Sequence, residues 1–369
     1  MDDSWLQAGL WQLGRLLPQA VALFTTGWCI RLLTQIRQTR VARQLIREQG
    51  INIVHLTMPV SPLEPTLIRR LGAPLVIGPL NGGMSYPPGF THRERGWVRA
   101  FVKAGRALAG VANRWLPGKA EAACLLAANE RSRQVLLDAF PGSAARISVL
   151  PENGVDLSVW RPAPRQAVFA GEKAPVRLLF AGRLVDWKGV DLLLQAFARA
   201  VQRSAVPLSL SIAGDGPMKR RWLSLAASLG ILGKDDNQSG QVFFHGWLPT
   251  EACAERMQQA DVLVLPSLLE CGGAVVLEAM ATGLPVIACK WGGPADYLDD
   301  KCGVLLPVRS EPELIEALTR AMVTLAESPR LRHAMGLAAV HKAQSHYNWT
   351  TKAKEMMNIY RQAGQAQHA

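Results

Sequence analysis

Residues Asp261 to Leu298 read DVLVLPSLLECGGAVVLEAMATGLPVIACKWGGPADYL, and no other stretch of the 369-residue chain narrows the possible folds so far. Val262-Leu263-Val264-Leu265 is a short, wholly apolar run closed by Pro266, which is the pattern of a buried strand at its end. Gly272-Gly273 let the backbone turn and come close to a neighbour. Ala274 to Thr282 then predict a helix, stopped by Gly283 at its C′ position. Leu284-Pro285-Val286-Ile287-Ala288 predicts the next strand. Strand, loop, helix and strand in that order form a unit of a parallel sheet, so the chain belongs to the α/β class.

The turn also carries chemistry. Backbone N–H groups near Gly273, Ala274 and Val275 are the unpaired donors of a helix N-terminus, where the helix dipole favours an anion such as phosphate. Glu278 lies one turn into that helix. A carboxylate only accepts hydrogen bonds, so it suits vicinal hydroxyls, as on a ribose, better than the phosphate. Glu270 precedes the turn, where a second polyol could be held. Taken singly, a glutamate at such a place is more often a cap or a solvated charge. Taken together they outline a nucleotide sugar.

A second segment supports that outline. Val176 to Gly182 reads as a strand ending in glycine, Arg183 to Gly189 as a charged loop, and Val190 to Val201 as an amphipathic helix. Ligands of open α/β sheets bind at the carboxyl ends of strands, which is where Arg183 and Lys188 project. Two fixed cations there can neutralise a departing diphosphate.

These residues together resemble the retaining glycosyltransferases of the GT-B fold, family four, also called glycosyl transferases group 1. FAGRLVDWKGVDLLLQAF, LSIAGDGPM and VFFHGWLPTEACAERMQQADVLVLPS are the matching runs, and the resemblance extends from about Leu125 to the C-terminus. It implies two Rossmann-like domains with a cleft between them. It also implies that Arg183 and Lys188 bind the diphosphate, that Glu270 contacts the donor sugar and Glu278 the ribose, and that Gly272, Gly273, Ala274 and Val275 line the phosphates and sugar. The expected catalytic set is Arg183, Lys188 and Glu270. The implied reaction moves a sugar from a nucleotide-sugar donor to a glycan or lipid-linked acceptor with retention, in polysaccharide or surface-glycan assembly. No Asp-x-Asp stands at a strand end and Asp296, Asp299 and Asp300 read as a solvated turn, so neither a metal nor any other cofactor is expected.

Composition bounds the remainder. The length suits two α/β domains: residues 1–160, 161–347, and a closing helix over 348–369 that crosses back to the first domain. The six cysteines show no C-x-x-C pair, which predicts a reducing, cytoplasmic setting. Residues 1–165 hold 20 Lys+Arg and 10 Asp+Glu, net +10, against 21 and 19, net +2, for the rest. A basic N-terminal domain predicts an anionic partner, either a lipid-linked acceptor or a peripheral contact with an anionic membrane. Nucleic acid is not expected, because no recognised motif for it is present. Trp5, Trp11, Phe24 and Trp28 lie on a stretch that reads as interfacial or as packed on its own domain, and too interrupted to span.

The N-terminal half fits the family less closely. Its first strand and glycine loop are not recognisable ahead of Ile51-Asn52-Ile53-Val54-His55-Leu56, so the domain reads as shortened and a binding or partner subunit is the alternative function. Pro74 to Gly83 reads as a strand entering a Gly-Gly turn, which places Gly82 and Gly83 on the acceptor side. His55 and His92 are the nearest histidines to a catalytic role. Gly214-Asp215-Gly216-Pro217-Met218-Lys219 lacks the third glycine of a dinucleotide fingerprint, which argues against an oxidoreductase.

Overall fold

A computed structural model describes residues 4–18, 21–22, 25–58, 60–162, 175–235 and 238–365. Phe24, the linker residues Ala163, Pro164 and Arg165, and the last four residues of the expected closing helix lie outside them. The chain divides into two compact units. The first holds residues 1–83, 94–152 and 353–369, and the second holds 84–93 and 153–352.

In the first unit, helices α1 (Ser4–Arg15) and α2 (Thr26–Gln49) precede a parallel sheet whose strands lie in chain order, β1 (Val54–Leu56), β2 (Leu75–Leu80), β3 (Cys124–Ala127) and β4 (Ile147–Val149). Helix α3 (Gly96–Trp115) connects β2 to β3, and α4 (Glu130–Ala139) connects β3 to β4. Asn129 caps α4, its side chain accepting from the Ser132 N–H at 2.9 Å. Both faces of β2 and β3 are buried, which is why they read as continuous apolar runs. One face packs on Leu136, Phe140 and Ile68. The other meets the last helix, Trp349–Gln365, through Met356, Ile359, Tyr360 and Ala363.

The second unit is a six-stranded parallel sheet. Its strands are β5 (Val176–Ala181), β6 (Leu208–Ala213), β7 (Val242–Gly246), β8 (Val262–Leu265), β9 (Val286–Cys289) and β10 (Gly303–Leu306), in the spatial order β10-β9-β8-β5-β6-β7. Order reverses between β5 and β8, the two strands whose following loops carried the expected site residues. Helices α5 (Val190–Arg203), α6 (Lys219–Ser228), α7 (Thr250–Gln259) and α8 (Ala274–Ala281) return the chain between strands. Helix α8 ends as its sequence predicts: Gly283 has φ 79°, and the Leu284 N–H reaches the Ala279 carbonyl at 2.9 Å.

Residues 84–93 follow β2 in the chain but belong to the second unit. Phe90 is fully buried and joins that unit's core with Tyr86. Arg93, with 10% of its side chain exposed, donates to Asp191 at 2.7 Å and to Glu311 at 2.6 Å. Burial opposes its charge, but the two carboxylates hold the guanidinium's pKa well above its ordinary value. Nothing local in PPGFTHRERG announces this anchoring. None of the described helices is long and apolar enough to cross a membrane.

Candidate active site

The site is built on two neighbouring strands. At the end of β5, Gly182 gives way to Arg183 and then to a 3-10 turn, Asp186–Lys188, closed by Gly189 at φ 66°. Only glycine fits there, since a Cβ would stand 2.5 Å from the Pro266 carbonyl oxygen that follows β8. The Leu268 N–H bonds the Trp187 carbonyl at 2.8 Å, so the β5 and β8 loops are pinned together. The Glu270 carbonyl accepts from the Gly293 N–H at 2.8 Å, which fixes the backbone that carries the glutamate.

That pinning creates a contact no single motif contains. Lys188 Nζ donates to Glu270 Oε2, with 14% and 13% of the two side chains exposed. The expected diphosphate cation and the expected sugar carboxylate are therefore an ion pair, 82 residues apart in sequence. A buried pair of this kind holds both groups in register. Arg183 is exposed at the same strand end and forms no ion pair among the described residues.

Helix α8 supplies the rest. Gly273 is its N-cap at φ 74°, and Glu270 Cγ lies so near that a Cβ on Gly273 would be 3.1 Å from it. The N–H groups of Ala274 and Val275 open the helix beside Glu270. Glu278 is half-buried, and burial pushes its carboxyl up to about 7. Cys253 of α7 lies near enough to feel it: its thiol is pushed up to about 11 by burial and by the Glu278 charge. Glu278 is thus a carboxyl kept short of solvent, with acceptor oxygens that hydroxyl donors can satisfy.

Trp247 was not among the sequence candidates. It comes directly after β7, with 74% of its surface exposed, and leads into α7, which carries Cys253 beside Glu278. The available signal was the single tryptophan at a strand's carboxyl end, in HGWLP.

In the first unit, the carboxyl ends of β2, β3 and β4 gather a polar cluster. Buried Asn81 donates to Glu152 at 2.9 Å, accepts from the Gly82 N–H at 2.8 Å, and receives Arg131 at 3.4 Å. Gly82 and Gly83 have φ 145° and 71°, so their backbone curves beside this cluster. Asn81, Arg131 and Glu152 were not among the candidates. His55 is committed elsewhere: Nε2 donates to the Gly78 carbonyl at 2.7 Å, which leaves Nδ1 to accept from the Tyr360 hydroxyl at 2.8 Å. His92 bonds Glu311 at 2.9 Å. Asp299, read as a solvated turn, accepts from Lys342 at 2.6 Å, which lowers its carboxyl to about 2.

Comparison with known proteins identifies the family of the chain. The profile of the family described as Glycosyl transferases group 1 matches residues 165–341. A Mycolicibacterium smegmatis protein named GDP-mannose-dependent alpha-(1-6)-phosphatidylinositol monomannoside mannosyltransferase is 30% identical over 343 residues, covering 88% of this chain and 81% of its own. A D-inositol 3-phosphate glycosyltransferase of Streptomyces griseus is 33% identical over 261 residues, covering 64% of this chain. This chain spans about half, 53%, of that relative's length. Sucrose-phosphate synthase of Thermosynechococcus elongatus superposes with a TM-score of 0.63 at 22% identity, over 93% of this chain and 79% of its own. A glycosyltransferase of Rickettsia africae gives 0.62 at 16% identity, over 90% and 82%. The structural likeness shows the GT-B fold expected from the sequence. With a relative matched across four-fifths of its length, the chain belongs to the glycosyl transferases group 1 family.

Proposed function

We propose that the protein transfers a sugar from a nucleotide-sugar donor to a glycan or lipid-linked acceptor, with retention of anomeric configuration. The observation that carries this is the convergence of Arg183, Lys188, Glu270, Glu278 and the α8 N-terminus at the switch between β5 and β8. Each group has one task. The N-terminal N–H groups of α8 and the cations Arg183 and Lys188 take the diphosphate, Glu278 takes the ribose hydroxyls, and Glu270 takes the sugar. Beyond the ribose the base meets the segment from Trp247 to Cys253, and the exposed indole covers its face.

In the reaction the bond between the anomeric carbon and the diphosphate oxygen breaks, and the acceptor hydroxyl forms the new bond on the same face. Its proton passes to the leaving phosphate oxygen, so no separate base is needed. Lys188 is already oriented by Glu270 and gives up part of that pairing to the growing phosphate charge. The lipid-linked arm of the acceptor class is supported by the name of the Mycolicibacterium relative and by the basic N-terminal half. Assembly of a polysaccharide or surface glycan, on the cytoplasmic face of a membrane, follows from that acceptor.

Glu278 supplies the test. Its folded pKa, about 7, lies above the unfolded value of 4.5, so the native state binds the proton more tightly. Its contribution to stability is therefore present below about pH 4.5 and is lost as pH rises through 7. Glu278→Gln should be more stable than the parent at pH 8, on the order of 2 kcal/mol, with the gain vanishing near pH 5. The same variant should bind UDP-, GDP- or ADP-sugars at least tenfold more weakly in thermal-shift titrations. If no donor stabilises the parent, the donor reading is wrong; if the variant responds as the parent does, the ribose role is wrong. Donor binding without transfer to any acceptor would favour the partner-subunit alternative.

Trp247→Ala should raise the donor KM by roughly tenfold, since a base stacked on an aromatic ring is held by about 1–3 kcal/mol. Its kcat should hold. An unchanged donor KM would remove Trp247 from the site.

A further inference from the structure

Helix α3 is long and turned the wrong way for a solvent-facing helix. Four large apolar residues on it are exposed: Trp97 at 47%, Leu108 at 70%, Val111 at 53% and Trp115 at 81%. At 100° per residue these four fall within roughly 60° of arc, a stripe about 27 Å long with a tryptophan at each end. Buried Asn113 lies on the opposite side, donating to the Leu63 carbonyl at 2.7 Å, so the helix has an inner face and the stripe is not on it.

The charges on α3 are equally one-sided. Residues 96–115 contain Arg99, Lys103, Arg106 and Arg114 and no acidic residue. Lys103 and Arg114 are exposed and lie roughly 60–80° beyond one edge of the apolar stripe, whereas Arg99 falls on the far side of the helix, towards Asn113. Helix α1 repeats the composition, with Trp5, Trp11 and Leu13 exposed and no acidic residue in Ser4–Arg15. An apolar stripe with tryptophans at its ends and exposed cations beside one edge matches the layers of a bilayer surface, where acyl chains lie below and anionic headgroups beside them. A protein partner would need an acidic rim around an apolar groove, and a second copy of this cationic helix would repel its own charges.

We propose that α3 is a membrane-docking helix, which lies in the interface of a bilayer containing anionic phospholipid with Trp97, Leu108, Val111 and Trp115 inserted and Lys103 and Arg114 against the headgroups. This deepens the lipid-linked acceptor reading, but the surface itself is independent of the transfer reaction. Docking brings the first unit to the plane where a lipid-linked acceptor presents its polar head.

The test is sedimentation of the full chain with phosphatidylcholine vesicles, with and without 30% phosphatidylglycerol. Binding should be at least tenfold tighter to the anionic vesicles and should weaken with salt. Leu108→Glu with Trp115→Glu should reduce it at least tenfold, while leaving the melting temperature and the donor thermal shift unchanged, because both side chains stand in solvent. Lys103→Gln with Arg114→Gln should remove the preference for anionic lipid. Equal binding to both vesicle types, or full binding by the Leu108/Trp115 variant, overturns the proposal. So does a dimer in light scattering that the Leu108/Trp115 variant dissociates, since a second copy would then cover the stripe. Vesicle binding by a chain that binds no nucleotide sugar would uphold the docking helix and refute the transferase reading alone.

Discussion

Replacing Lys188 by alanine is expected to lower kcat by 10²- to 10³-fold, with a much smaller rise in the donor KM. Removing one preorganised stabiliser of developing charge typically costs about 3–4 kcal/mol of the barrier. The asymmetry follows from timing. In the resting protein the ammonium is already paired with Glu270, so ground-state donor binding gains little from it; when the glycosidic bond breaks, charge accumulates on the phosphate and draws the cation. Glu270→Gln separates the two roles, because it frees Lys188 but removes the carboxylate from the sugar. It should bind nucleoside diphosphate as the parent does and the intact nucleotide sugar less tightly. Rapid-quench single-turnover kinetics give the chemical step directly. Turnover in Lys188→Ala within threefold of the parent would mean that the pair is only a brace between the β5 and β8 loops.

Arg93→Ala is expected to have the largest effect on stability, about 3 kcal/mol at neutral pH, or a fall of roughly 5–10 °C in the melting temperature of the second unit. The cause is what remains behind. Asp191 and Glu311, with 23% and 31% of their side chains exposed, lose the guanidinium that both of them bind. Arg93→Met fills much of the same space and should lose nearly as much, which assigns the loss to charge and not to packing. The pH dependence has a definite sign. Burial alone would raise the Glu311 carboxyl, but hydrogen bonds from Arg93 and His92 hold it below the ordinary value. A carboxylate depressed in the native state contributes stability above its unfolded pKa, and that contribution disappears as pH falls through the folded value. The gap between parent and variant should therefore be full at pH 7 and narrow below about pH 4. A constant gap across that range in urea titrations would show that the ion pairs are not its origin.

The anchoring of residues 84–93 also shows why chain order was a poor guide to the units. The segment looks like a turn-rich exit from β2, and its prolines and glycines say as much. That Phe90 is buried in the second unit's core, and that Arg93 meets carboxylates 98 and 218 positions away, depends on residues far along the chain. Loop composition is silent on such matches.

The legible and the illegible parts divide by range. The strand, turn and helix around Gly273 were readable, because a buried parallel strand writes itself as an apolar run and a helix end as a glycine, both set by a few neighbouring φ and ψ values. Arg183, Lys188, Glu270 and Glu278 could be named as candidates on the same local grounds, together with the family resemblance. Tertiary structure alone decided that Lys188 and Glu270 are bonded to each other, that Glu278 is buried enough for its pKa to rise, and that Asn81, Arg131 and Glu152 share one strand-end cluster. It also decided that the apolar stripe of α3 faces outward, which the periodicity of the helix, equally suited to an inner or outer face, could not say. Local dihedral preferences are written residue by residue, whereas a pKa, an ion pair or an exposed face depends on which distant atoms the sheet brings alongside.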